Sequence, residues 1–164
     1  MSTWELTPFV QVGPLRFGMV RSEVRMVLAS KVTTFKKGPL SVTDTDAFTD
    51  LKIHCYYANA PDILDYVEFY GNSPAPVCFH GLRLQKFELA TLVKELFELS
   101  YSCLEDEDGG YFPDLGIAIY SPRKSRIESI GIFERSRFEN YLRLNHAIAE
   151  RRRLRAARRH LGAQ

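Results

Sequence analysis

Apolar and polar side chains alternate through residues 51–57: Leu51, Ile53 and Cys55 fall on one parity, and Lys52, His54 and Tyr56 on the other. A period of two is that of a strand with one face buried. Residues 58–62 are turn formers and residues 64–70 read as a second strand, so the stretch predicts a β-hairpin pairing 51–57 with 64–70. The pattern then recurs. Phe48, Asp50, Leu51, Ile53 and Tyr56 correspond to Phe112, Asp114, Leu115, Ile117 and Tyr120 at a constant shift of 64, and residues 127–133 close a second hairpin across residues 121–125.

Helical spacing takes over elsewhere. Met19, Val24, Val27 and Leu28 predict an amphipathic helix over residues 20–28, with Gly18 allowing a sharp turn before it. In residues 85–99 a stripe of Leu89, Leu92, Val93, Leu96 and Leu99 lies opposite Glu88, Lys94, Glu95 and Glu98, the strongest helical pattern in the chain. A shift of 65 brings Glu23, Val24, Val27 and Leu28 onto Glu88, Leu89, Leu92 and Val93, which extends the repeat from a hairpin to a helix plus strands. Residues 4–12 read as a short edge strand or extended lead-in, residues 31–37 and 101–104 as strands, residues 43–46 as a polar loop, and residues 105–110 as an exposed acidic turn. Neither Gly nor Pro occurs between residue 134 and Gly162, so a long helix is expected there, with Phe138, Tyr141, Leu142 and Ile148 on its apolar side.

The expected fold class is therefore α+β. Two tandem helix-plus-antiparallel-β units, residues 1–70 and 71–134, pack as one globular body joined by the small-residue and proline stretch 71–76, and residues 135–164 form a long basic helix.

Composition sharpens this in two places. A chain of 164 residues with 45% hydrophobic and 12% aromatic side chains can bury a full core. No apolar run approaches the roughly 20 residues of a membrane span, and residues 1–5 lack a basic, apolar secretion start, so a cytoplasmic location and no membrane span are expected. Charge is unevenly distributed. Residues 135–164 hold nine arginines against Glu139 and Glu150, a net +7, which leaves −5 on residues 1–134 of a chain whose total is +2.

Candidate chemistry is thin. Cys78 and His80 are metal-type ligands, but no second pair at a zinc spacing completes four, so no metal or cofactor is expected. His54 and Cys55 adjoin in a strand and point to opposite faces, which rules out a dyad between them. Cys55, Cys78 and Cys103 read as reduced, packed thiols. Asp50 and Asp114, equivalent in the repeat, are expected to fix turns by accepting backbone hydrogen bonds rather than to form a catalytic pair. The chain is thus read as a non-enzymatic binding protein.

Its candidate partner surface comprises Tyr56, Tyr57, Tyr66, Tyr70 and Tyr111 with the acidic turn Glu105, Asp106, Glu107 and Asp108; Asp44, Asp46 and Asp50 are the acidic counterpart in the first unit. The positions that differ between the copies, His54 against Ala118 and Tyr57 against Ser121, mark where function would diverge. A second reading is nucleic-acid binding through Arg151, Arg152, Arg153, Arg155, Arg158 and Arg159, against which stands the acidic body.

Leu15, Arg16, Phe17, Gly18 and Met19, followed by Glu23, Val24 and Leu28 and then strands, resemble the helix-then-strands module of the BamE/SmpA-like outer-membrane assembly lipoproteins over about half the chain. No lipoprotein signal or acylated cysteine accompanies it, so the resemblance implies a fold and, as a third reading, a small adaptor. The overall organisation resembles that of bacterial toxin-immunity proteins, compact cytoplasmic α+β antidotes whose charged or aromatic surfaces cover a toxin's active site. That resemblance implies a cognate protein toxin as partner, a basic nuclease cleft being the target that acidic side chains suit.

Overall fold

The computed structural model describes residues 3–38, 41–58, 62–123 and 126–161, and for residues 148, 149 and 151–161 the backbone alone. In chain order the elements are β1 (Trp4–Thr7), β2 (Gln11–Val12), β3 (Leu15–Arg16), α1 (Arg21–Leu28), β4 (Val32–Phe35), β5 (Thr45–Phe48), β6 (Ile53–Tyr57), β7 (Leu64–Tyr70), β8 (Val77–Phe79), β9 (Leu82–Arg83), a 3₁₀ turn (Leu84–Lys86), α2 (Leu89–Glu98), β10 (Leu104–Glu105), β11 (Gly109–Phe112), β12 (Ile117–Tyr120), β13 (Ser129–Phe133) and α3 (Arg135–Leu161). The class is mixed α+β, with sheet predominant.

Two compact units divide the chain, Met1–Glu134 and Arg135–Gln164, so the two expected halves lie together in the first. Within it an eight-stranded sheet runs β10-β11-β12-β13-β7-β6-β5-β4, and a five-stranded sheet runs β3-β2-β1-β8-β9. Every pair in the larger sheet is antiparallel. Two meanders, β4 to β7 and β10 to β13, therefore meet through their last strands.

Strand parity decides the layers. Phe48, Ile53, Cys55, Val67, Phe69, Ile117, Ile119, Ile130 and Ile132 point to one face, where they pack with Val24 of α1, Leu89, Leu92 and Leu96 of α2, and Trp4, Leu6, Val12, Val77 and Phe79 of the smaller sheet. Burying one such side chain contributes about 1.5–3 kcal/mol, and this shared core is what holds helices and sheets in register.

Local chemistry explains several departures from the expected elements. Helix α2 begins at Leu89 rather than 85 because Phe87 and Glu88 are extended and Leu84–Lys86 form the 3₁₀ turn, in which the Gln85 side chain accepts the Val77 N–H at 2.9 Å. Strand β10 is two residues long and starts at Leu104, not 101, since Tyr101 N–H still donates to the α2 carbonyl of Leu96 at 2.9 Å.

The second half of the span expected to be a polar loop, Thr45 and Asp46, instead opens β5, and Asp46 is fully buried. The turns at Asp50 and Asp114 are closed by backbone bonds, Leu51 N–H to Phe48 and Leu115 N–H to Phe112, both 3.1 Å, and among the described residues neither carboxylate accepts a hydrogen bond. Each turn is followed by a left-handed residue, Lys52 at φ 54° and Gly116 at φ 63°.

Helix α3 spans 27 residues. Within it the rings of Phe138 and Tyr141 lie 6.4 Å apart, one turn from each other. No helix among the described residues is long and apolar enough to cross a membrane.

Candidate partner-binding face

The face of the larger sheet opposite the core is written by the other parity. Its middle row, read across the strands, is Thr33, Ala47, His54, Glu68, Gly131, Ala118, Tyr111 and Leu104. One pleat away lie Tyr56, Tyr66 and Phe133; one pleat the other way lie Tyr70, Ser129, Tyr120 and Gly109. Small residues thus floor the second meander's part of the face, with aromatic side chains on either side.

Tyr56, Tyr66 and Phe133 stack as a ladder across three strands, with ring centroids 4.5 Å and 4.1 Å apart. Glycine at 131 makes room for it, because a Cβ there would stand 2.9 Å from both Tyr66 Cε2 and Phe133 Cε2. Across the row, His54 meets Phe35 at 5.3 Å and Tyr70 at 5.1 Å edge to face.

A polar cluster is set into this aromatic surface. Glu68 Oε2 accepts from the Tyr56 hydroxyl at 2.7 Å and from Lys37 Nζ at 3.3 Å, and its Oε1 accepts from Ser129 Oγ at 3.2 Å. Lys37 Nζ also donates to the Tyr56 hydroxyl at 2.8 Å and sits 4.7 Å from the centre of that ring. Burial pulls the Glu68 carboxyl upward, but the Lys37 charge and the hydroxyl donors outweigh it and hold the group below its usual range. His54 Nδ1 is 4.0 Å from Glu68 Oε2. Burial, aided by Lys37, lowers the His54 pKa despite the opposing Glu68 charge, so the imidazole is neutral at pH 7.

A second charged cluster lies on the core face. Asp46 Oδ1 accepts from Arg25 Nη2 at 2.7 Å, Arg21 Nη1 at 2.9 Å and Thr34 Oγ1 at 3.0 Å; its Oδ2 accepts from Arg25 Nε at 2.8 Å and the Tyr57 hydroxyl at 3.1 Å. Arg21 also pairs with Asp62 and lies 4.0 Å over the Tyr57 ring. Burial alone would raise the Asp46 pKa, yet the Arg25 and Thr34 hydrogen bonds and the Arg21 charge keep it low. Every acceptor site of this carboxylate is in use, so the cluster is a clamp fastening α1 to β4, β5 and β6 and leaves no room for a ligand.

The expected site residues separate accordingly. Tyr66, Tyr70 and Tyr111 share the outer face with Tyr56, but Tyr56 is buried in the ladder and Tyr70 is exposed. Tyr57 belongs to the core face, bound to Asp46, and is not available to a partner; its equivalent Ser121 is buried too, with its hydroxyl donating to the Arg126 carbonyl at 3.1 Å. Asp46 likewise leaves the proposed acidic surface.

Glu105, Asp106, Glu107 and Asp108 are exposed. Their turn is ordered: Asp106 accepts from Tyr111 Oη and from Asp108 N–H, and Asp108 O accepts from Ser121 N–H at 2.7 Å, which sets the turn beside Tyr120. Tyr120, outside the expected set, is 46% exposed, and its parity with Ala118 places it on the outer face. The side chains of Arg151, Arg152, Arg153, Arg155, Arg158 and Arg159 lie outside the described residues, while the α3 backbone runs through them.

Among the described residues no group of three or more His, Cys, Asp or Glu side chains is arranged to hold a metal ion. The thiols are held protonated. Burial drives the Cys55 pKa far up, and burial with the Glu105 charge pushes Cys103 up to about 11. Comparison with protein-family models, with curated proteins and with solved structures finds no match for this chain.

Proposed function

We propose that this chain is a non-catalytic binding protein, a cytoplasmic immunity protein that neutralises a cognate bacterial toxin by laying the outer face of its larger sheet over the toxin's active site. The observation that carries this reading is the juxtaposition on β7, β13 and β12 of exposed Tyr70 and Tyr120, separated by Ser129, with the acidic turn held against the end of β12. Adjacent strands are about 4.8 Å apart, so the two rings stand roughly twice that distance from each other and frame a trough floored by Ser129, Ala118 and Gly131. Exposed aromatic anchors around small residues suit a protein interface. A neighbouring set of like charges suits a basic cleft, towards which it would steer association.

The two helix-plus-meander halves are taken as an internal duplication, which the matched turns at Asp50 and Asp114 and their left-handed exits at Lys52 and Gly116 support. In the first copy His54 and Glu68 make the face polar, and in the second Ala118 and Gly131 make it smooth, so divergence between the copies built the trough.

Co-expression with the product of the adjacent upstream gene tests the proposal. A complex that survives purification and rescue of growth from that product's toxicity are expected; neither complex nor rescue would overturn it.

A further inference from the structure

Lys37 occupies a seat whose other parts are all fixed on strands. Tyr56 is on β6, Glu68 on β7 and Ser129 on β13, whereas Lys37 lies beyond the end of β4 and next to Gly38, with its side chain 55% exposed. The Glu68 side chain is 17% exposed. A largely buried carboxylate is expensive to leave without a countercharge, and among the described residues Lys37 supplies the only cationic hydrogen-bond donor that reaches it. Nζ also lies over the Tyr56 ring, so a single position offers a carboxylate, a hydroxyl and an aromatic face to one cation.

We propose that Lys37 is an exchangeable occupant of a cation-recognition seat formed by Tyr56, Glu68 and Ser129, and that the natural guest is an arginine or lysine side chain of the protein partner. This rests on the outer-face reading above and names the chemistry that face recognises. Exchange leaves the number of charges at Glu68 unchanged while releasing Lys37 to water. The cost is small because a lysine on a flexible stem regains its rotamers and hydration. His54 supports the discrimination. Held neutral 4.0 Å from Glu68 Oε2, it adds no competing charge at pH 7 but would do so once protonated. Tyr70 and Phe35 pack edge-on to His54, and Tyr66 stacks on Tyr56. A partner's basic residue is drawn to this face by the acidic turn on the same sheet. The internal lysine, present at an effective concentration on the order of millimolar, keeps weak cations out and admits a side chain that a whole interface delivers.

The test uses the full-length chain and N-acetyl-arginine methylamide as probe, followed by NMR of the His54 and Tyr56 ring resonances. In Lys37→Met, or in Lys37→Gln should the methionine variant not fold, saturable shifts are expected with affinity about tenfold above wild type, as for a site that its internal competitor leaves open about a tenth of the time. The Glu68 pKa, read in the same titrations, should rise when Lys37 is lost and return towards its wild-type value when the probe is bound. Adding Glu68→Gln to either lysine variant should abolish the shifts. Absence of saturable binding in a folded Lys37 variant would overturn the seat, as would binding unchanged by Glu68→Gln. Because no toxin enters this experiment, its failure is distinct from failure of the co-expression test.

Discussion

Tyr66 and Phe133 stack 4.1 Å apart across the junction where the two meanders meet, and both rings pass over Gly131. The ladder thus depends on a missing side chain. Gly131→Ala would put a methyl 2.9 Å from each ring, closer than packed carbon atoms tolerate, so at least one ring must leave the stack. A loss of about 1–3 kcal/mol is expected for such overpacking, read as a lower denaturant midpoint at unchanged slope. Wild-type stability in this variant would show that the ladder swings aside at no cost.

The Asp46 clamp makes a prediction with a sign in pH. Its folded pKa lies below the unfolded value of about 3.9, so its contribution is fully present above that value and is lost as pH falls through it towards the folded pKa. Asp46→Asn leaves Arg21 and Arg25 facing a neutral amide, and removing one partner of a buried pair costs about 3–5 kcal/mol. The lower end applies here, because the Arg25 side chain is 40% exposed and regains water. Thermal melts from pH 7 down to pH 3 should show a less stable variant at neutral pH and a narrowing gap as the acid limit is approached. A constant gap across that range would mean that the carboxylate charge is not what holds α1.

Much of the frame was legible because it rests on local periodicity. The alternation of Ile53, His54, Cys55 and Tyr56 placed β6 and its two faces, and the leucine stripe placed α2. Strand β5 was not legible, since Thr45 and Asp46 read as a polar loop until Arg21 and Arg25, from a distant helix, neutralise the aspartate. Two-residue strands such as β2, β3 and β9 are too short to show any period. Tyr57 shares the parity of Ile53 and Cys55, so the strand's own alternation puts it on the core face rather than on the aromatic surface. The Lys37 seat had no local signature, because its parts come from three strands and a loop.

If the outer face is the interface, stability and binding should separate by face. Tyr70→Ala and Tyr120→Ala remove exposed rings and should change stability by no more than about 0.5 kcal/mol while each weakens the toxin complex by about 2 kcal/mol, roughly 30-fold. Tyr57→Phe should do the reverse. It deletes the hydroxyl that donates to Asp46 at 3.1 Å, costing about 1 kcal/mol of stability, and should leave affinity unchanged. Calorimetry on the purified complex, paired with melts of the free variants, would distinguish the two patterns.

Thiol reactivity provides a check on the core that needs no partner. The thiolate is the form that reacts with iodoacetamide, and burial disfavours it at all three cysteines. Cys103 is half-buried with its pKa pushed up to about 11 by burial and by the Glu105 charge, so at pH 8 it is ionised to about one part in a thousand. An ordinary exposed thiol at that pH is ionised to roughly a quarter, so Cys103 should label about two orders of magnitude more slowly. Cys55 is fully buried between Asp46 and Val67 on its neighbouring strands, and it should label only through global opening, at a rate that rises in step with denaturant as stability falls. Asp46→Asn should accelerate Cys55 labelling by the factor that matches its lost stability, because the same clamp closes over both residues. Labelling of Cys55 that is fast in the wild type and indifferent to Asp46 would show that the clamp face opens independently of the sheet.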